Sequence, residues 1–199
     1  MDWLGVVRLA DLMDRISNIL GFAICLWMVG NLANRITLIR MRLGEAAALL
    51  LILGGAQEWI MSLIACTIFL DAVDGWVART YHTEGKFGAA LDRYSDYYVA
   101  GVMWLALAVR GLVEPLVPAI TISRDLWLVL RPVSRSKIGW LSSAPSMRAG
   151  YAILKLASWE LAIARPGSPA ASVLVWITVG TCLLRALPTL VPSRRSNSP

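Results

Sequence analysis

Asp71-x-x-Asp74-Gly75-x-x-Ala78-Arg79 is followed, after eight residues, by Gly88-x-x-x-Asp92-x-x-x-Asp96. The four carboxylates lie between apolar stretches of membrane grade, Trp59 to Leu70 before them and Tyr97 to Val109 after. An Asp near the centre of a bilayer costs about 2.5–3.5 kcal/mol on insertion scales. Four left unpaired would cost about 10 kcal/mol, comparable to the stability of a whole domain. A cation must offset that charge, and the spacing points to a metal ion. On a helix Asp71 and Asp74 share a face, with Gly75 and Arg79 on an adjoining stripe. On the next helix Gly88, Asp92 and Asp96 recur every four residues. If the two helices pack antiparallel through these faces, the carboxylates converge on a small volume. An all-oxygen set suits Mg²⁺ or Mn²⁺, hard cations that keep positions open for phosphate oxygens. The glycines leave room for a ligand, and Arg79 offers a planar donor fork to a phosphate. Together these are parts of phosphoryl-transfer chemistry.

Helices in a membrane must position these groups. The chain has 199 residues, 57% of them hydrophobic, with mean hydropathy +0.62, above the roughly 45–50% apolar content of a soluble domain. The expectation is an all-α, polytopic membrane protein with spans at Ile36–Ala56, Trp59–Ala78, Ala89–Val109, Val113–Leu130, Met147–Ala164 and Ala171–Leu190. Each approaches the roughly 20 residues that cross a bilayer, and Gly54-Gly55 supplies a tight turn between the first two. With these spans every basic residue except Arg110, Arg165 and the in-helix Lys155 falls on one side. The positive-inside rule then puts the aspartate loop on the cytoplasmic side of the cell membrane. The expected division is an amino-terminal segment at residues 1–35, the six-helix domain at residues 36–190 and a polar, disordered tail at residues 191–199; Ile16–Leu32 reads first as an interfacial or re-entrant helix and second as a seventh span.

The net charge of +6 is accounted for by anionic headgroups and phosphorylated substrates; no basic patch interleaved with aromatics argues for nucleic acid. Cys25, Cys66 and Cys182 have no ligand spacing and read as packing residues. His82, the only histidine, reads as a solvated loop residue. Several of the nine Trp fall near span ends, as interface anchors do.

The aspartate pattern resembles the signature of the CDP-alcohol phosphatidyltransferase family at all its fixed positions. Eight specified residues match by chance at a given start with a probability on the order of 10⁻¹⁰. The resemblance extends to Asn34-x-x-Thr37-x-x-Arg40 and, weakly, to Ile122-Ser123-Arg124-Asp125. It implies a homodimeric enzyme with two Mg²⁺ or Mn²⁺ ions on Asp71, Asp74, Asp92 and Asp96. Those ions would hold the pyrophosphate of a CDP-activated lipid, CDP-diacylglycerol or CDP-archaeol. Gly75, Arg79, Gly85 and Gly88 would line the nucleotide, with Asn34 and Thr37 closing over it and Ala78 letting the helices approach. Asp96 is the implied general base toward the acceptor hydroxyl, with CMP as leaving group. Family members often carry Ser or Thr three residues before the loop glycine; here that place is Gly85, so the hydroxyl contact is missing or made by Thr83.

The acceptor is less legible. Arg124, Arg131 and Arg148 fall at the expected cytoplasmic ends of the fourth and fifth helices. Arg124 and Arg148 are candidates for binding an acceptor phosphate, or else ordinary positive-inside anchors; the resemblances at Arg40 and Arg124-Asp125 imply glycerol 3-phosphate first, inositol phosphate second and serine third. A cation transporter is the alternative of another class, since carboxylates within a membrane also mark ion pathways. Transporter sites usually lie near the midplane on broken helices, whereas these carboxylates sit at helix ends beside Arg79.

Overall fold

The computed structural model describes residues 31–82, 85–130 and 144–189. Six α-helices run through them: α1 Leu32–Leu53, α2 Gln57–Thr80, α3 Lys86–Val109, α4 Leu116–Leu130, α5 Pro145–Ala164 and α6 Pro169–Leu184. A short 3₁₀ turn, Leu187–Thr189, follows, and no strand occurs among the described residues. The all-helical expectation holds, and each expected span coincides with a helix to within a few residues. The segment expected at the interface up to residue 30, Cys25 within it, Thr83, Arg131 and the tail from residue 190 lie outside the described residues.

Local chemistry explains the boundaries. The Asn31 side chain caps α1 by accepting from the Asn34 N–H at 2.9 Å, satisfying a donor the first turn leaves open. Gly54 ends α1 at φ +76°, and its N–H bonds back into the last turn; glycine adopts this left-handed geometry without strain. Proline opens α5 and α6, where its missing N–H costs nothing. Ser168 caps α6 through Ala171 N–H at 3.2 Å.

Two helical stretches, Gln57–Thr80 and Pro169–Thr189, are long and apolar enough to cross a membrane. Only 28% of each apolar window is buried inside the fold, so neither is the core helix of a soluble domain. The expected count of six falls to two on this measure for a physical reason. α4 has only 15 residues, while α1, α3 and α5 carry charged residues such as Arg40, Asp92, Asp96 and Lys155 within otherwise apolar sequence. Large apolar side chains face outward all the same. Leu53, Trp59, Phe69, Val109, Leu130 and Ile153 are each more than half exposed, a surface suited to lipid.

The packing departs from the expected direct pairing of the two aspartate helices. α1 lies along both, and the main contacts of α2 and of α3 are with α1, not with one another. Gly44 permits this, because a Cβ there would sit 2.8 Å from Val99 Cγ1. α5 pairs with α6, and α4 joins α3 to α6. The apolar core fills one half of the bundle with Ala47, Leu51, Ile60, Ile64, Leu107 and Val179. Trp104 and Trp159 close it edge to face, centroids 5.7 Å apart at 77°, tying α5 to α3. The other half is left for polar groups.

Candidate active site

Three helix ends meet in the polar half: the start of α1, the end of α2 and the start of α3. Asp71 and Asp74 come from α2 and Asp92 and Asp96 from α3, each pair on one face as helical spacing dictates. Ligand oxygens of Asp71, Asp74 and Asp92 all lie within 4.8 Å of one another. Three anionic oxygens so close, from two helices, fit a hard divalent cation. Asp96 is not in that closest group; it stands one turn further along α3.

α1 supplies the partners. Arg40, 2% exposed, points its guanidinium into the carboxylates. Nη1 is paired with Asp71 Oδ1 and lies 3.3 Å from Asp96 Oδ1. Nη2 reaches Asp92 Oδ1 at 3.0 Å and donates to Ser95 Oγ. Ser95, fully buried, donates in turn to the Asp92 carbonyl at 2.9 Å. Arg40 Nε has no hydrogen-bond partner among the described residues. Asp74, 5% exposed, is held by Thr37 Oγ1 at 2.8 Å. The cation implied by four carboxylates in apolar sequence therefore has a protein-derived member.

The expected nucleotide-lining residues spread over the mouth of this cluster. Asn34 is buried, and its Oδ1 would lie 2.9 Å from a Cβ placed on Gly88. Only glycine lets the two come so close. Gly75 faces its own helix's Arg79, whose Nη1 would be 3.4 Å from a Cβ there. Arg79 is exposed at the end of α2, Gly85 is exposed as the N-cap of α3, and Ala78 is half-buried. His82 is exposed in the turn at φ +51°, as expected of a solvated residue. Cys182 is buried, but Cys66 is exposed on α2, so the packing role expected of both belongs to Cys182.

A second polar cluster lies beside the first. Arg124, 8% exposed, holds Asp125 Oδ1 at 2.6 Å. Tyr151 and Cys182 face it, and Arg185 Cζ lies 4.7 Å from the Tyr151 ring centre. Lys155 Nζ lies 5.3 Å from the Trp159 ring centre and 5.8 Å from that of Tyr151, and it interacts electrostatically with Asp96 of the first cluster and Asp125 of the second. Of the two arginines expected to act together, Arg124 is buried and Arg148 is exposed near the start of α5. Sequence reasoning missed Ser95, Lys155 and Arg185 as members of the site. A lysine inside the apolar run of α5 was the available signal, because such a charge is costly in lipid unless it faces a partner.

Comparison with known proteins adds a family. The model of CDP-alcohol phosphatidyltransferase matches residues 30–187. The probable phosphatidylglycerophosphate synthase of Mycobacterium tuberculosis is 30% identical over 103 residues, 49% of each chain. The archaetidylinositol phosphate synthase of Aeropyrum pernix is 35% identical over 130 residues, 59% of this chain and 63% of its own. The chloroplastic CDP-diacylglycerol–glycerol-3-phosphate 3-phosphatidyltransferase 1 of Oryza sativa is 28% identical over 115 residues, 55% of this chain and 34% of its own. The matched stretch thus spans from about a third to under two thirds of these relatives' length.

Proposed function

The chain belongs to the CDP-alcohol phosphatidyltransferase family, and from that premise we propose that it transfers a phosphatidyl-type group from a CDP-activated lipid to a polyol phosphate, releasing CMP. The observation that carries this is the convergence of Asp71, Asp74 and Asp92 oxygens within 4.8 Å next to a basic cluster. Two Mg²⁺ or Mn²⁺ ions would be shared among Asp71, Asp74, Asp92 and Asp96. When bound, they would neutralise the pyrophosphate and stabilise charge on the departing CMP.

The chain's own residues then have distinct tasks. Thr37 fixes the Asp74 carboxylate, while Asn34, Gly75, Ala78, Arg79, Gly85 and Gly88 form the opening for the nucleotide. Asp96 accepts the proton of the acceptor hydroxyl as that oxygen bonds to the lipid-side phosphorus. The bond from that phosphorus to the bridging oxygen breaks, and its electron pair leaves with CMP. A carboxylate is a weak base, so positioning and charge neutralisation supply most of the rate.

Arg124, with Arg185 and Lys155 near it, is the acceptor's phosphate subsite in this reading. Buried cations beside a carboxylate cluster suit a phosphorylated acceptor better than an uncharged one. The three relatives' names all carry a glycerol phosphate or an inositol phosphate, in keeping with that chemistry. Glycerol 3-phosphate is our first choice, inositol phosphate the second and serine the third. We place the site at the cytoplasmic face of a homodimer whose protomers each cross the membrane six times. α2 and α3 run unbroken through the site, which disfavours the transporter alternative.

The test is CMP release by purified protein given CDP-lipid, Mg²⁺ or Mn²⁺, and in turn glycerol 3-phosphate, inositol phosphate, inositol and serine. Release with glycerol 3-phosphate that stops in EDTA is expected. Full activity in excess EDTA rejects the metal assignment, and release only with serine rejects the phosphorylated acceptor.

A further inference from the structure

An arginine in an apolar helix normally stretches its head out to the polar boundary while its stem stays in apolar surroundings. Arg40 does the opposite. Its side chain is 3% exposed on α1, and both terminal nitrogens are engaged by the acidic cluster. Nη1 serves Asp71 and Asp96, and Nη2 serves Asp92 and Ser95. One positive charge is thereby set against three carboxylates of the group that would hold the metal.

Asp71 and Asp92 are the crux. Each contributes to the group of oxygens within 4.8 Å, and each is also bound by Arg40. A divalent ion on those carboxylates would meet a guanidinium at hydrogen-bond distance from the same groups. Two cations that close repel, although water reaches Asp71 and Asp92, which are about half exposed, and screens part of that repulsion. Conversely, without any cation the carboxylates would repel one another among apolar helices. Asp74 takes the neutral Thr37 hydroxyl as its side-chain hydrogen-bond partner, and it too lies in the field of Arg40.

We propose that Arg40 is a built-in counter-cation of the aspartate cluster, holding its carboxylates together before a divalent ion arrives and giving way when the ion loads. The proposal rests on the metal reading above and adds a competition to it: the same charge that stabilises the metal-free bundle weakens metal affinity. A guanidinium that only oriented the ligands would have the opposite effect on affinity.

The experiment uses the full chain in detergent with Mn²⁺ alone as the probe. Free Mn²⁺ is followed by electron paramagnetic resonance, and unfolding is followed in EDTA and in saturating Mn²⁺. Arg40→Met keeps an extended side chain and removes the charge. Its Kd for Mn²⁺ should be tighter than that of the parent by about ten-fold or more, equivalent to about 1.4 kcal/mol. Its melting temperature in EDTA should be lower, and its rise on adding Mn²⁺ larger. Weaker or unchanged Mn²⁺ binding overturns the proposal. If Arg40→Met is unfolded in EDTA, recovery of a cooperative transition with Mn²⁺ supports it. Failure to recover in saturating Mn²⁺ overturns it; Arg40→Lys, which keeps the charge, should match the parent in Kd and in both melting temperatures, and a Lys variant that behaves as Arg40→Met does overturns it as well. A parent protein that binds no Mn²⁺ brings down the metal reading itself; a parent that binds Mn²⁺ as Arg40→Met does brings down this proposal alone.

Discussion

The Thr37 hydroxyl on α1 donates to Asp74 Oδ2 on α2 across 2.8 Å, with a longer contact to the Ala33 carbonyl at 3.1 Å. Both side chains are buried. One hydroxyl therefore fixes how a candidate metal ligand presents its remaining lone pairs. Substituting Thr37→Val keeps the shape and removes the donor. Loss of a hydrogen bond that orients a ligand typically costs ten- to a hundred-fold in metal affinity, and Mn²⁺ titration should return a loss of about that size. Unchanged affinity would make the contact a packing detail.

Asp96 and Asp71 should fail differently. Asp96→Asn keeps size and hydrogen-bonding capacity but cannot take the acceptor's proton, so kcat should collapse while CDP-lipid still binds measurably. Asp71→Asn removes a member of the closest oxygen group, so both Mn²⁺ and CDP-lipid affinity should drop. Equal and mild losses in both variants, measured by CMP release and by binding, would overturn the division of roles.

Burial separates the two arginines expected to act together. Arg124 is buried against Asp125, whereas Arg148 is exposed. Arg124→Ala should raise the acceptor KM about ten- to a hundred-fold, from the roughly 1.5–3 kcal/mol of a hydrogen bond to a charged group. CDP-lipid affinity should hold. Arg148→Ala should change the KM little, because a solvated surface charge contributes little to a specific contact. Like behaviour in the two variants would return Arg124 to a topological anchor and move serine-type acceptors ahead.

Gly88→Ala sets two effects against each other. A methyl group there would come to 2.9 Å from Asn34 Oδ1, so Asn34 must turn away. Alanine also favours the helix by about 0.5–1 kcal/mol over glycine, so the melting temperature should move little while CDP-lipid affinity falls. In the double variant with Asn34→Ala the clash is gone and the helix gain remains. It should melt above Asn34→Ala alone, and a double-mutant cycle reads the coupling.

Much of the molecule was legible before any tertiary structure. Six apolar segments became six helices, with Gly54 ending α1 in the left-handed geometry its place in a Gly-Gly pair implied. These are local properties, set by apolar run length, capping chemistry and the conformational range of glycine. The i, i+3 and i, i+4 spacings of the aspartates are equally local, because 3.6 residues per turn puts such pairs on one face wherever the helix goes.

The cross-helix partners were decided only in three dimensions. Nothing in the spacing says that α1 lies along both aspartate helices, because that depends on how each helix is rotated and how closely Gly44 lets Val99 approach. Once α1 is there, Arg40 turns from one more basic residue near a membrane face into the cation among the carboxylates, and Thr37 into the clamp on Asp74. Burial was likewise unreadable: Arg124 and Arg148 look alike in sequence, yet α6 packing on α4 encloses the first while the second faces outward. Sequence alone determined which residue types sit on each helical face; tertiary packing decided which faces meet, and electrostatic partnership in a low-dielectric interior is a property of the meeting.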